Sequence, residues 1–315
     1  MSSSEMQISE KILVIKLSAL GDFIQALGPM AAIRKHHPNA HITLLTTKMF
    51  KVFGERCGYF DDIQIDARPG ALDLVGWLSL RKRLRQGDFS RAYDLQNNDR
   101  SCNYYKLFSS KPEWVGIARG ASHRNTSPDR TAGHAFDGHC QTLGLAGIST
   151  VSVDDMSWVK EDISRFNLQK PYVIFVPGSA PQHPQKRWPQ ESYGALAHKF
   201  VERGVQVVLL GTDAEKEVTD AISQICPQAL NLTGQTSLFE IVTLAHGASG
   251  AIGNDTGPMH MIGPTGCRSL ALFSSHSDPL RHAPKGKCVD TLQKDELSSL
   301  SVDCVLETFD CIEEK

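Results

Sequence analysis

The chain has 315 residues, which suits two domains of ordinary size, and its 41% hydrophobic and 22% charged residues are the balance of a folded protein, not a disordered one. Lysine and arginine total 33 against 35 aspartate and glutamate, so the near-neutral charge argues against a dedicated nucleic-acid binder.

Residues 11–17, KILVIKL, form a short apolar run with β-branched members, the pattern of a buried strand. Residues 18–22 make a turn. Residues 23–36 then carry Phe23, Leu27, Met30, Ala31 and Arg34 at helical spacing, and Pro38 closes the helix. Residues 41–47, HITLLTT, read as the next strand, which completes a βαβ unit with a right-handed crossover. The alternation continues with a strand at 63–66, a basic helix at 77–86, strands at 91–96 and 114–117, and a helix at 139–145. Residues 118–131, rich in Arg, Ser, His and Pro, read as a long loop. Weak periodicity across 147–170 marks a linker, and a domain boundary is expected near 160 (domains 1–160 and 161–315).

A second series follows. Strands are predicted at 171–176, 206–211, 250–253 and, last, 269–273. Helices are predicted at 190–203, 214–225 and 237–246, the last with the capping-box form from Ser237 to Glu240. A further helix starts near Gly257-Pro258, and the tail from Ser301 is a helix available to pack back on the first domain. Two consecutive βα series imply an α/β protein of two doubly wound domains, whose ligands belong beyond the carboxyl ends of the strands. With two facing domains, the cleft between them is the default site.

Three strand-end segments carry candidate chemistry. In Gly253-Asn254-Asp255-Thr256-Gly257-Pro258-Met259-His260 an apolar strand opens into a helix, with Pro258 suited to the first helical turn. Unpaired first-turn amides favour a phosphate there, and Thr256 and His260 can add side-chain donors. On pattern alone, a capped helix with a buried histidine accounts for this segment equally well. The second segment is Pro177-Gly178-Ser179 followed by Lys186-Arg187-Trp188-Pro189. It offers a glycine turn and a lysine for diphosphate neutralisation, or alternatively a solvated basic loop with a packed tryptophan. It lacks the Walker pattern. The third is the turn Ser18-Ala19-Leu20-Gly21-Asp22, in which Asp22 is either a helix cap or a general base. The absent G-x-G-x-x-G disfavours a dinucleotide oxidoreductase.

In this order the three segments resemble glycosyltransferase family 9, the bacterial heptosyltransferases of lipopolysaccharide core synthesis. The resemblance runs from Lys11 to about Gly286 and is most specific at L-S-A-L-G-D (17–22), K-R-W-P (186–189) and G-N-D-T-G-P-M-H (253–260). It implies a GT-B fold of two Rossmann-like domains, with the acceptor on the N-terminal side and the nucleotide-sugar on the C-terminal side. It implies Asp22 as catalytic base, Lys186 on the phosphates, and Asp255, Thr256, Gly257 and His260 around the diphosphate. Glu215 is the nucleoside contact it suggests, with Asp213 and Glu217 as rivals. Ser179 is the hydroxyl ligand, although the loop 179–185 is longer than usual. The donor it implies is ADP-heptose and the acceptor a core or lipid A-type glycolipid. Another sugar on the same fold, and a non-catalytic nucleotide-sugar sensor, are the alternatives.

The eight cysteines are scattered and none forms C-x-x-C, so reduced thiols, no structural metal and no cofactor are expected. Residues 1–10 are polar and no apolar run reaches about 18 residues, so a cytoplasmic protein without a transmembrane segment is expected, reaching any lipid substrate from the surface. The basic stretches 81–85 and 119–130 are either ordinary solvated faces or contacts to anionic glycolipid.

Overall fold

The computed structural model describes residues 10–179 and 184–313. Residues 180–183, the middle of the loop expected at 179–185, lie outside the described residues. The chain divides into two compact units between Ser152 and Val153.

The first unit carries strands β1 (Lys11–Ile15), β2 (His41–Thr46), β3 (Asp62–Ile65), β4 (Arg91–Asp94), β5 (Glu113–Gly116) and β6 (His123–Arg124). Its helices are α1 (Leu20–His36), α2 (Lys51–Arg56), α3 (Leu74–Gln86), α4 (Asp99–Tyr105), α5 (Asp129–Ala132) and α6 (Ala135–Gly144). The second unit has β7 (Tyr172–Val176), β8 (Gln206–Leu209), β9 (Leu230–Asn231), β10 (Gly250–Asn254), β11 (Ser269–Phe273) and β12 (Val289–Gln293). Its helices are α7 (Gln190–Glu202), α8 (Lys216–Ile225), α9 (Leu238–Gly247), α10 (Gly257–Ile262), α11 (Pro279–His282) and α12 (Val302–Asp310).

The two sheets run β3-β2-β1-β4-β5-β6 and β12-β11-β10-β7-β8-β9. Every pairing is parallel. Counted within each unit, both have the order 3-2-1-4-5-6 of a dinucleotide-type doubly wound sheet. Helices on both faces explain why the central strands read as unbroken apolar runs: β7 (YVIFV) is buried at every position, and β1 at all but its first. In the first core Leu13, Ile15 and Leu45 meet Leu80 and Leu84 of α3 and Trp114 of β5. In the second, Phe175 and Leu272 meet Phe200 of α7 and Phe309 of α12.

Several expectations change. The strand at 269–273 is not the last, because β12 follows and pairs with β11. Its sequence, VDTLQ, is polar and half-exposed as befits a sheet edge, so it shows no apolar run. The two-residue strands β6 and β9 are too short to leave a pattern; β6 lies inside the stretch expected as a loop at 118–131, and α5 begins within it. Residues 153–170, expected as linker, belong to the second unit. Trp158 packs edge-on to Phe239 of α9 at 6.0 Å, and the Glu161 amide donates to Thr243 Oγ1 at 3.0 Å. Within its own unit, α12 packs its apolar face on α7. Phe309 meets Phe200 at 5.6 Å, and ion pairs Lys199–Asp303 and Arg203–Asp310, both 3.0 Å, flank that contact. The Ser237–Glu240 capping box is present in both directions, at 3.2 and 2.8 Å.

Candidate active site

In an open parallel sheet, the strand order reverses where successive crossovers leave for opposite faces, and the crevice at that point receives ligands. In the second unit the reversal lies between β7 and β10, which are hydrogen-bonded neighbours. The segments 177–179 and 255–260 leave these two strands at their carboxyl ends, although they stand far apart in the chain.

Asn254, the last residue of β10, joins them. It is wholly buried. Its Nδ2 donates to the carbonyl oxygens of Pro177 at 2.7 Å and Gly178 at 3.3 Å, and its Oδ1 accepts from the Trp188 amide and the Tyr193 hydroxyl, both at 3.1 Å. The Trp188 indole is buried and donates to Leu300 O at 3.0 Å. The segment 186–189 is thereby fixed over the strand ends. Lys186 Nζ meets Asp255 Oδ2 at 2.7 Å, with both side chains mostly buried. Asp255 spends its own amide on Leu272 O at 3.0 Å, and its carboxylate is the group that faces Lys186.

Thr256 is the N-cap of α10 but makes no side-chain cap bond. Gly257 and Pro258 open the helix, and His260 lies half-buried in its first turn. Ser179 is buried and held by Arg187, whose Nε donates to Ser179 Oγ and whose Nη2 donates to Ser179 O, each at 3.0 Å. Of the three acids weighed at the β8 end, Glu215 lies against the β7 turn. A Cβ on Gly178 would sit 2.4 Å from Glu215 Cγ, so the glycine is required for that approach. Glu215 Oε2 accepts from the Thr212 amide at 2.8 Å and hydroxyl at 2.5 Å, which fixes its rotamer. Asp213 and Glu217 are exposed.

Asp22 lies in the first unit, at the matching reversal between β1 and β4. It is the third residue of α1, exposed, and accepts from the Ala19 amide at 3.3 Å. The cap and the solvent-facing carboxylate are thus the same group. Beneath it, Gln96 Oε1 accepts from the amides of Leu17 at 2.7 Å and Ser18 at 3.1 Å, and Lys16 Nζ donates to Leu95 O at 3.1 Å. Burial lowers the Lys16 pKa, while the negative charges of Asp22 and Asp94 raise it. Burial pushes the Asp94 carboxyl up to about 6, against hydrogen bonds from Asn97, Ser101 and Gln96. Asn254, Arg187, Lys16 and Gln96 were not singled out by sequence reasoning. Asn254 stood inside a recognised segment, but nothing in the order of residues says that its amide spans two strands.

Two grooves, of about 460 and 290 Å3, are lined by residues at the opposite, amino ends of the strands: Ser249, Cys267 and Arg268 in one, Lys11, His41 and Thr43 in the other. They are removed from both reversal points, and the strand-end segments mark the site better than these grooves do.

The model of glycosyltransferase family 9 (heptosyltransferase) matches residues 141–305, more than half of the chain. The chain belongs to glycosyltransferase family 9. A lipooligosaccharide heptosyltransferase 2 of Haemophilus ducreyi is 32% identical over 276 residues, 80% of this chain and 79% of that protein. Among solved structures, a family 9 glycosyltransferase of Veillonella parvula superposes with a TM-score of 0.81 at 23% identity, over 96% of this chain and 98% of that one. The E. coli heptosyltransferase WaaC with ADP superposes with a TM-score of 0.74 at 17% identity, over 95% and 98%. The family 9 chain is therefore a glycosyltransferase with the two Rossmann-like domains of the GT-B fold. Among its described residues no helix is long and apolar enough to cross a membrane.

Proposed function

We propose that this glycosyltransferase is an inverting enzyme that moves heptose from ADP-heptose to a lipopolysaccharide core or lipid A-type glycolipid, and that it meets this acceptor from the cytoplasmic surface of the membrane. The observation that carries the reading is the convergence of Ser179, Lys186, Glu215 and the 255–260 turn on one strand reversal of the second unit. A lysine ammonium held by a carboxylate beside a helix start is suited to a diphosphate, and the relatives are heptosyltransferases by name. In this reading the second domain binds the nucleotide-sugar and the first faces the acceptor. Lys186, His260 and the amides at Thr256 and Gly257 take up the charge that the leaving diphosphate gains as the glycosidic bond breaks. Glu215 meets the nucleoside. Asp22 accepts the proton of the acceptor hydroxyl as its oxygen attacks the anomeric carbon from the face opposite the diphosphate.

A panel of nucleotide-sugars tested by thermal shift, followed by transfer to a delipidated core oligosaccharide, checks this reading. Stabilisation by ADP and ADP-heptose above UDP- and GDP-sugars, together with product of inverted anomeric configuration, is expected. Preference for another nucleotide would move the donor assignment. Binding without transfer would favour the sensor.

A further inference from the structure

The first unit has an exposed apolar surface that neither its core nor the proposed catalytic residues use. Leu72 is 95% exposed, Val75 79%, Leu74 72% and Leu78 60%. These residues straddle the start of α3, whose first turn is fixed by Asp73 Oδ1 accepting from the Gly76 amide at 2.8 Å. The inner face of the same helix is committed: Leu80 and Leu84 are buried in the core, and Trp77 lies edge-on to Tyr104 at 6.1 Å. At 3.6 residues per turn, Leu74, Val75 and Leu78 share one stripe with Arg81, Lys82 and Arg85, all exposed. The helix holds no acidic residue. Its exposed stripe is thus apolar for the first turn and a half and basic thereafter.

We infer that this face of α3 docks the enzyme on an anionic phospholipid surface. The inference rests on the reading above that the acceptor is a membrane glycolipid. Charge complementarity selects the occupant. Leucine and valine side chains enter the acyl boundary, while Arg81 and Lys82 keep their heads among lipid phosphates; Arg85, whose Nε donates to Leu107 O at 3.0 Å, ends the stripe. Pairing with a second copy of the same face fits poorly, since the basic end then meets either another basic end or the leucines, where Asp73, already accepting from the Gly76 amide, sets a single acid against three basic side chains. A run of exposed apolar side chains this close together is also uncommon on a surface that stays in water.

Co-sedimentation of the full chain with vesicles tests it. Wild type is expected to pellet with phosphatidylethanolamine vesicles containing phosphatidylglycerol, to bind phosphatidylcholine vesicles weakly, and to lose binding as salt rises. The double variants Leu74→Ser/Leu78→Ser and Arg81→Gln/Lys82→Gln should each bind about tenfold or more weakly. Both change only exposed positions, so melting temperature and transfer to a water-soluble acceptor should match wild type. Wild type that stays in the supernatant, or variants that pellet as wild type does, would overturn the inference. So would wild type that dimerises without lipid through Leu74 and Leu78. No nucleotide-sugar enters the vesicle assay, so wild type that pellets yet transfers no sugar counts against the proposed reaction and not against this surface.

Discussion

Removing the Asn254 side chain should loosen the second domain and the proposed donor site together. The amide makes four hydrogen bonds, all buried: two to the carbonyls of Pro177 and Gly178, and two from the Trp188 amide and Tyr193 hydroxyl. In Asn254→Ala these four partners lose their match inside a wholly buried site, where each unsatisfied group costs about 1–3 kcal/mol and entering water repays part. A net loss of about 3–5 kcal/mol follows, a large share of the roughly 5–15 kcal/mol that holds a domain together. At about 2–4 °C per kcal/mol for a unit of this size, the melting temperature should fall by roughly 6–20 °C. Asn254→Asp should be no milder. Its carboxylate can accept from Trp188 and Tyr193 but can donate nothing to the two carbonyls, and it sets negative charge against them. Calorimetry and urea unfolding measure the loss. Since Trp188 anchors the segment that carries Lys186, affinity for ADP should also drop in molecules that remain folded. An Asn254→Ala protein that melts within about 2 °C of wild type would refute the bridging role.

Lys186→Ala should weaken ADP binding by about 1–3 kcal/mol in titration calorimetry, and adding Asp255→Asn should cost less in that background than alone, because Asp255 acts by holding Lys186. Strictly additive losses would separate the two. Asp22→Asn keeps a helix-capping oxygen but cannot take a proton, so it should retain melting temperature and donor affinity while transfer falls by about 10²–10⁴. Transfer at the wild-type rate would leave Asp22 as a cap alone. The raised Asp94 pKa sets a pH dependence with a definite sign. The folded state favours the protonated carboxyl, so this stabilisation is full below the ordinary value of 3.8 and is lost as pH rises through about 6. The span is worth about 3 kcal/mol, the opposing pull of the Lys16 charge being already contained in it. Asp94→Asn should therefore flatten the stability profile between those pH values and gain on wild type at neutral pH. Equal profiles in chemical denaturation would remove the assignment.

Much of the fold is legible in the order of residues. Central strands of a parallel sheet are buried on both faces, so β1 and β7 announce themselves as apolar runs. The Ser237–Glu240 box is legible because both of its partners lie within one helix turn. The strand-end segments also stood out, because a turn suited to an anion needs particular residue types close together in the chain. Edge strands carry no such mark. The polar β12 and the two-residue β6 and β9 exist because a neighbouring strand offers them hydrogen bonds. Residues 153–170 look like a linker until α9 is there to receive Trp158. The site itself was divided in the same way. Lys186 and Asp255 could each be named from sequence, but their 2.7 Å pairing depends on the sheet order that makes β7 and β10 neighbours, and on the Asn254 amide that ties both strand ends to Trp188. Such contacts join residues far apart in the chain. Residue periodicity records which face of an element is buried, whereas the identity of the partner across that face is set only when the sheet closes.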